Sequence, residues 1–415
     1  MSLAIIILAA GKGTRMKSAK PKVMHTLAGK PMLQHVIDTA KQLSPSQLAV
    51  VSGNGADEVV PFLQNQQIDV VMQHEQKGTG HAVEQAKASF VNSEQVLVLY
   101  GDVPLITADT LQDLIESGDN NSLKVLTAIL EDPTGYGRIV RDYDDNMLCI
   151  TEEKDADEET KLINEINTGI MCIPAKWLTE ALSQLDNNNT QGEYYLTDLI
   201  AKAVNQGIEI NSVTCEDEME VAGINNRVQL AEVESYYQQL KATELMMSGV
   251  TFRDPARVDI RGDIKAGQDI TIDINVIFEG NNTIADNVSI GANCILINST
   301  IHEGAEILPN SIIENAEVGT NCSVGPFARL RPGTKLAAKA KVGNFVEVKN
   351  ANIGLGSKIN HLSYIGDTDM GADVNIGAGT ITCNYDGANK HRTVIGDRVF
   401  VGSDTQLVAT VTVED

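Results

Sequence analysis

The sequence predicts two architectures in one chain: an α/β domain wound on a mostly parallel sheet, then, beyond about residue 260, a solenoid of short flat strands. Three observations predict this. Short apolar runs alternate with amphipathic stretches through the first half, a segment rich in glycine and cations follows the first of these runs, and in the second half one apolar residue recurs every six. A chain of 415 residues is also too long for one ordinary core, so two domains are expected.

The run Leu3-Ala4-Ile5-Ile6-Ile7 has the length and β-branched content of a buried parallel strand. Leu8-Ala9-Ala10-Gly11-Lys12-Gly13-Thr14-Arg15-Met16 therefore falls where a strand hands over to a helix. There Gly11 and Gly13 let bare N–H groups approach an anion, and Lys12, Arg15 and the downstream Pro21-Lys22 add charged donors for phosphate oxygens. The spacing is neither the Gly-x-Gly-x-x-Gly of dinucleotide folds nor a P-loop. Further strands are expected at 48–51, 68–71, 96–100 and 123–127, with helices over 32–43 and 81–90 between them, the βαβα pattern of a sheet covered on both faces.

Ligands of such sheets sit beyond the carboxyl ends of the strands. Tyr100-Gly101-Asp102 lies at one such end, where Asp102 is either a turn residue or, as its Val103-Pro104-Leu105 sequel favours, a ligand for a hard cation that bridges phosphates. The segment from Gln73 to Gly80 joins an amide to a glycine turn: either a plain surface loop or an amide that pairs with a base edge. From Arg227 to Met247 the apolar residues take helical period, as an ordinary helix of the first domain or a rod between domains, and Gly249 with Arg253-Asp254-Pro255 ends it. The domains are accordingly 1–226, a linking helix 227–250, and 251–415.

The six-residue beat runs through Ile272, Phe278, Ile284, Ile290 and Leu296 and continues to Val413, with four steps of five residues. One apolar residue in six suits neither a helical seam nor strand alternation, but it fits a coil of three hexads stacked on the next coil. The beat fails over Thr382–Thr393, so a loop must leave the prism there; its mixture of Asn, Tyr, Asp and Lys favours a binding arm over a tolerated insertion. His361 follows a core position by two residues and should sit at a corner or on the outer face, with Arg331, Lys349 and Tyr364 about one coil away or a few residues along.

A net charge of −24 excludes an extended nucleic-acid footprint, so anionic ligands must be met by local cations or a metal. No signal peptide or membrane-spanning run is present, which predicts a cytoplasmic protein without membrane insertion. The six cysteines lack Cys-x-x-Cys spacing and read as buried thiols.

The motif at 8–16, with Pro21-Lys22-Val23, Gly78-Thr79-Gly80-His81-Ala82 and Tyr100-Gly101-Asp102, resembles the sugar-1-phosphate nucleotidyltransferases. Gly135-Tyr136-Gly137-Arg138, Glu152, Asn164–Gly169, Gln191–Asp198 and Gly223–Arg227 narrow the likeness. Together they resemble the bacterial bifunctional N-acetylglucosamine-1-phosphate uridylyltransferase/glucosamine-1-phosphate acetyltransferase family, through the whole chain. That resemblance implies an α/β Rossmann-like nucleotidyltransferase domain followed by a left-handed parallel β-helix of hexapeptide repeats, and a homotrimer. By it, Leu8, Ala9, Ala10, Gly11, Gln73, Gly78 and Thr79 hold UTP, Arg15 and Lys22 act on its phosphates, and Tyr100 and Gly101 belong to the same nucleotide- and sugar-binding set. Gly137, Glu152 and Asn167 would hold N-acetylglucosamine-1-phosphate, and Asp102 with Asn225 would bind Mg²⁺.

In the second domain the resemblance makes His361 the general base toward glucosamine-1-phosphate, oriented by Glu347, with acetyl-CoA as co-substrate. Arg331, Lys349, Tyr364, Asn375 and Lys390 match the sugar-phosphate positions, and Ala378, Asn384, Tyr385 and Ser403 those lining acetyl-CoA or the reacting carbonyl. The family continues beyond the position of Asp415 with further turns and an arm that helps close the acetyl-CoA site, so acetyl transfer is expected to depend on that segment. The alternative is a monofunctional sugar-1-phosphate nucleotidyltransferase whose β-helix is structural or regulatory.

Overall fold

The computed structural model describes residues 2–415. They pack as two units, one ending at Glu234 and the other spanning Ser235–Asp415.

The first unit is built on the strand Leu3–Ala9, which lies between Gln95–Tyr100 and Gln47–Ser52 in parallel register, Leu8 opposite Tyr100 and Ala9 opposite Ser52. Asp69–Met72 extends one edge, so the strands expected at 48–51, 68–71, 96–100 and 123–127 all form. Alternate side chains of the central strand face opposite ways, as the two-residue period requires. Ile5, Ile7 and Ala9 join Leu33, Val36 and Leu111 in one apolar layer, and Ala4, Ile6 and Leu8 join Val83, Phe90 and Leu178 in the other.

The sheet is less parallel than expected. Glu165–Pro174 enters antiparallel between Gln95–Tyr100 and Leu123–Ile129 and also pairs with Gly137–Arg141. Its sequence hides this, because Asn167-Thr168-Gly169 interrupts the apolar run where the register shifts between Asn167 and Met171. The first expected helix forms over Met32–Gln42; the second starts at Thr79, runs to Gln85, and gives way to a 3-10 turn over Lys87–Ser89. A helix spans Arg227–Met247, and no helix among the described residues is long and apolar enough to cross a membrane.

In the second unit each coil contributes one short parallel strand to each of three ladders, which makes a parallel β-helix. Ile295 pairs with Ile312 and Val324 with Val342, so one coil is 17 or 18 residues, and 25 where the chain leaves the prism between Ile376 and Val401. The apolar beat is its interior: residues 272, 278, 284, 290, 296 and their successors as far as Leu407 are buried. The five-residue steps all fall at one edge of the prism, turned by Asn298, Asn315, Asn350 and Asp367 with φ of 44°, 44°, 45° and 48°. A single left-handed residue makes this tight corner, and Asn and Asp are the non-glycine residues that adopt it most readily. The break in the beat is a hairpin: the His391 N–H donates to the Asn384 carbonyl, and Tyr385 bridges to Lys390. Cys172, Cys215, Cys294 and Cys322 are buried, whereas Cys149 and Cys383 are half-buried, a partial departure from the expectation for all six.

Candidate functional sites

At the carboxyl ends of the central strands of the first unit opens a cleft of about 380 Å³. Leu8, Ala9, Ala10, Gly11, Lys22, Gln73, Gly78, Thr79, Tyr100 and Asp102 line it, so the residues singled out from four separate stretches meet in one place. Gly101, between the last two, donates its N–H to the Leu8 carbonyl at 3.0 Å and ties the strand ends together. Two glycines are required here. A Cβ on Gly13 (φ 57°) would lie 2.7 Å from the Lys22 Cβ, and one on Gly78 (φ 106°) would lie 2.5 Å from the Tyr194 carbonyl oxygen.

The cations expected on phosphates converge with the residues expected on a metal. The Lys22 ammonium is ion-paired to Asp102 and donates to Asn225 Oδ1 at 3.0 Å, and Arg15 Nη2 donates to the same oxygen at 2.9 Å. Asn225 is brought there because the Ile224 N–H donates to the Asp102 carbonyl at 2.9 Å. Two oxygen donors, one of them anionic, thus already face one cation. That set fits a hard divalent ion, which takes one or two carboxylates and completes its shell with phosphate oxygens and water. Among the described residues no group of three His, Cys, Asp or Glu could hold an ion.

A second cleft of about 540 Å³ in the same unit is lined by Arg15, Gly135, Glu152, Lys154, Gln191 and Tyr195. Burial pushes the Glu152 carboxyl above the usual range, although Thr197 Oγ1 donates to it at 2.9 Å. Gly137 stands against Glu152, with an added Cβ 3.6 Å from Oε2, and buried Asn167 accepts from the Gly169 N–H at 3.0 Å. Between the clefts the Tyr100 phenol is held protonated, chiefly by burial and then by the carboxylates of Glu152 and Asp102. Thr197, Glu193 and His81 stand in the sequence only as members of the motifs Gln191–Asp198 and Gly78–Ala82, with no individual role assigned to them.

In the second unit His361 is exposed at the end of the strand Lys358–His361, as its place after the core beat requires. Its Nδ1 lies 3.0 Å from Asn344 Oδ1, one coil earlier. An amide oxygen can only accept, so Nδ1 carries the proton and Nε2 is left as the basic nitrogen. Glu347 was expected to orient this ring and does not; it accepts from Arg331 Nη1 at 2.8 Å. Asn344 was overlooked, yet counting one coil back from His361 finds it. The register carries the column on to Ala378 and Ser403, since Ile359 pairs with Ile376 and Ile376 with Val401, and Asn375 sits three residues before Ala378 on the same face.

Arg331 and Lys349 lie on successive coils, Leu330 pairing with Val348. The adjacent Lys390 pushes the Lys349 ammonium below the usual lysine range, as expected of cations gathered with too little negative charge nearby. Asn384 is buried; its Nδ2 is bonded to Asp367 and lies 3.5 Å from the Tyr364 hydroxyl. Tyr385 stands apart, 60% exposed on the hairpin with its hydroxyl donating to the Gly387 carbonyl at 2.6 Å.

Two family models match separate parts of the chain. Residues 5–194 match the family described as MobA-like NTP transferase domain, and residues 260–355 the GMPPB C-terminal domain. A curated relative from Marinobacter nauticus, the bifunctional protein GlmU, is 53% identical over 413 residues, covering 100% of this chain and 91% of its own. A solved structure from Bacillus anthracis, assigned as a glucose-1-phosphate thymidylyltransferase, is 18% identical over 57% of this chain and 95% of that one with a TM-score of 0.44, a likeness too distant to bear on function.

Proposed function

The chain belongs to the family of the bifunctional protein GlmU, an enzyme family that makes UDP-N-acetylglucosamine, and we propose that its two units divide the labour between the two sets of residues described above. The first unit transfers the uridylyl group of UTP to N-acetylglucosamine-1-phosphate. The second transfers the acetyl group of acetyl-CoA to glucosamine-1-phosphate. The observation that carries the first assignment is the convergence of Lys22, Arg15, Asp102 and Asn225 beside the Gly11 loop.

Uridylyl transfer needs no covalent nucleophile on the protein. A phosphate oxygen of the sugar attacks the α-phosphorus, the bond to the bridging oxygen breaks, and pyrophosphate leaves in line, so the protein's task is alignment and charge neutralisation. The Gly11 loop supplies backbone donors, Arg15 and Lys22 neutralise charge on the departing phosphates, and Gly137, Glu152 and Asn167 orient the sugar. Asp102 and Asn225 would hold Mg²⁺, which would supply charge stabilisation to phosphate oxygens.

For acetyl transfer the amine of glucosamine-1-phosphate attacks the thioester carbonyl, His361 Nε2 takes the amine proton, and the thiolate of coenzyme A leaves and is protonated. Arg331, Lys349 and Lys390 meet the sugar phosphate, with Tyr364 and Asn375 beside it; Ala378, Asn384, Tyr385 and Ser403 border the acyl donor. A β-helix with a purely structural role would account for neither the oriented His361 ring nor this gathering of cations. We further propose a cytoplasmic homotrimer and the domain division 1–226, 227–250 and 251–415.

The test is to assay both half-reactions on the whole chain. Asp102→Ala is expected to lower uridylyl transfer by at least about a hundredfold and spare acetylation, the loss of an interaction worth several kcal/mol in the transition state. His361→Ala is expected to do the reverse. A chelator should stop pyrophosphate release and leave acetyl transfer intact. Loss of both activities in both variants would overturn the division.

A further inference from the structure

The side chain of Gln73, 3% exposed, lines the nucleotide cleft immediately after the strand Asp69–Met72. Its amide nitrogen lies 3.1 Å from the Gly78 carbonyl oxygen and 3.0 Å from His81 Nδ1. A carbonyl accepts only, so the nitrogen rather than the oxygen of Gln73 must face it. The second amide hydrogen then points to His81 Nδ1, which must be unprotonated to receive it. The ring then carries its proton on Nε2, and the exposed Gln85 amide, whose nitrogen stands 3.3 Å away, must turn its oxygen there to accept it.

With both hydrogens committed, the amide has only Oε1 left to offer, and among the described residues no donor takes it up. We propose that His81 is a positioning residue for base selection: it locks the Gln73 amide with its oxygen available to the cleft, so that the site accepts a base bearing N–H at its pairing edge and rejects one bearing a lone pair there. Uracil has N3–H, and cytosine has an unprotonated N3. An acceptor meeting the buried Gln73 oxygen is left without a partner, the kind of mismatch that discriminates most strongly between similar substrates. Removing the His81 acceptor leaves Gly78 as the only restraint, and the amide can then turn its NH₂ toward cytosine.

This inference rests on the reading that the base docks at Gln73, and the test separates the two. The ratio of kcat/KM for UTP to that for CTP is measured in the full chain. His81→Leu should lower the ratio at least about tenfold, mostly by raising kcat/KM for CTP, with kcat for UTP nearly unchanged, as for loss of roughly one net hydrogen bond from the lock. His81→Asn, which can present an oxygen where Nδ1 stands, should restore the ratio. Gln73→Leu should collapse it. If Gln73→Leu collapses the ratio while His81→Leu keeps the wild-type value, or if His81→Asn falls as far as His81→Leu, the role of His81 is overturned and the base site stands. A ratio unchanged by Gln73→Leu means that the base does not dock there, and both fail together.

Discussion

At the scale of the residue, chemistry here depends on which atom of a side chain is left over once its neighbours are satisfied. Asn344 takes up the Nδ1 proton of His361 and leaves Nε2 with its lone pair, the nitrogen proposed above to act as base. Asn344→Leu should therefore lower kcat for acetyl transfer by about ten- to a hundredfold, the usual cost of losing a residue that orients an active imidazole, and leave uridylyl transfer alone. Unchanged acetylation would show that the tautomer is set elsewhere. Asp102, Gln73 and Lys22 were legible in the sequence because each follows an apolar strand or a glycine turn at the rim of the sheet. The partners of His361 and Gln73 were not, since a hydrogen bond between 344 and 361 exists only once the coils are counted, and the link from 73 to 81 only once the turn at Gly78 is folded.

Elements add constraints that no single residue shows. The helix Asp198–Asn205 begins with a carboxyl whose pKa is raised to about 6, first by burial and then by Asp186, Glu152 and Asp155. Below about pH 3 this group is neutral both folded and unfolded. As pH rises toward 6 the unfolded chain ionises first, so stability falls, and the penalty is complete above the folded pKa. Asp198→Asn should therefore stabilise the first unit at pH 8 and scarcely at pH 3, by roughly 1–2 kcal/mol after allowing for partial exposure. An equal gain at both pH values would refute this origin. In the β-helix, Asn315 turns a tight corner at φ 44°. Asn315→Ala should cost about 1–2 kcal/mol in denaturant titrations and Asn315→Gly less, because only the former puts an unassisted Cβ in the left-handed region. The hexad beat foretold these strands well, since burying one side chain in six leaves a plain trace. The antiparallel strand at 165–174 escaped, because Asn167-Thr168-Gly169 broke its apolar signature.

For the whole molecule, the two units have separate apolar interiors, one layered around a sheet and one threaded through a prism. Heat or denaturant should unfold them in distinguishable steps. UTP with Mg²⁺ should move one step and acetyl-CoA the other, each by about 2.7 kcal/mol at a hundred times its dissociation constant. A single transition shifted by either ligand would show that the interiors are not independent. The division into two architectures was legible because the period of the apolar residues changes near 260; the exact seam was not, since the helix from Arg227 to Met247 reads equally well as the end of one unit or the start of the next.

The coil length has a kinetic side. Partners 17 or 18 residues apart close only small loops, so the prism, although made wholly of parallel strands, lacks the distant pairings that slow most β proteins. Its assembly can be seeded at any rung and spread to the next like a zip, with rungs such as the one around Val342, buried from both sides, exchanging their amide hydrogens last.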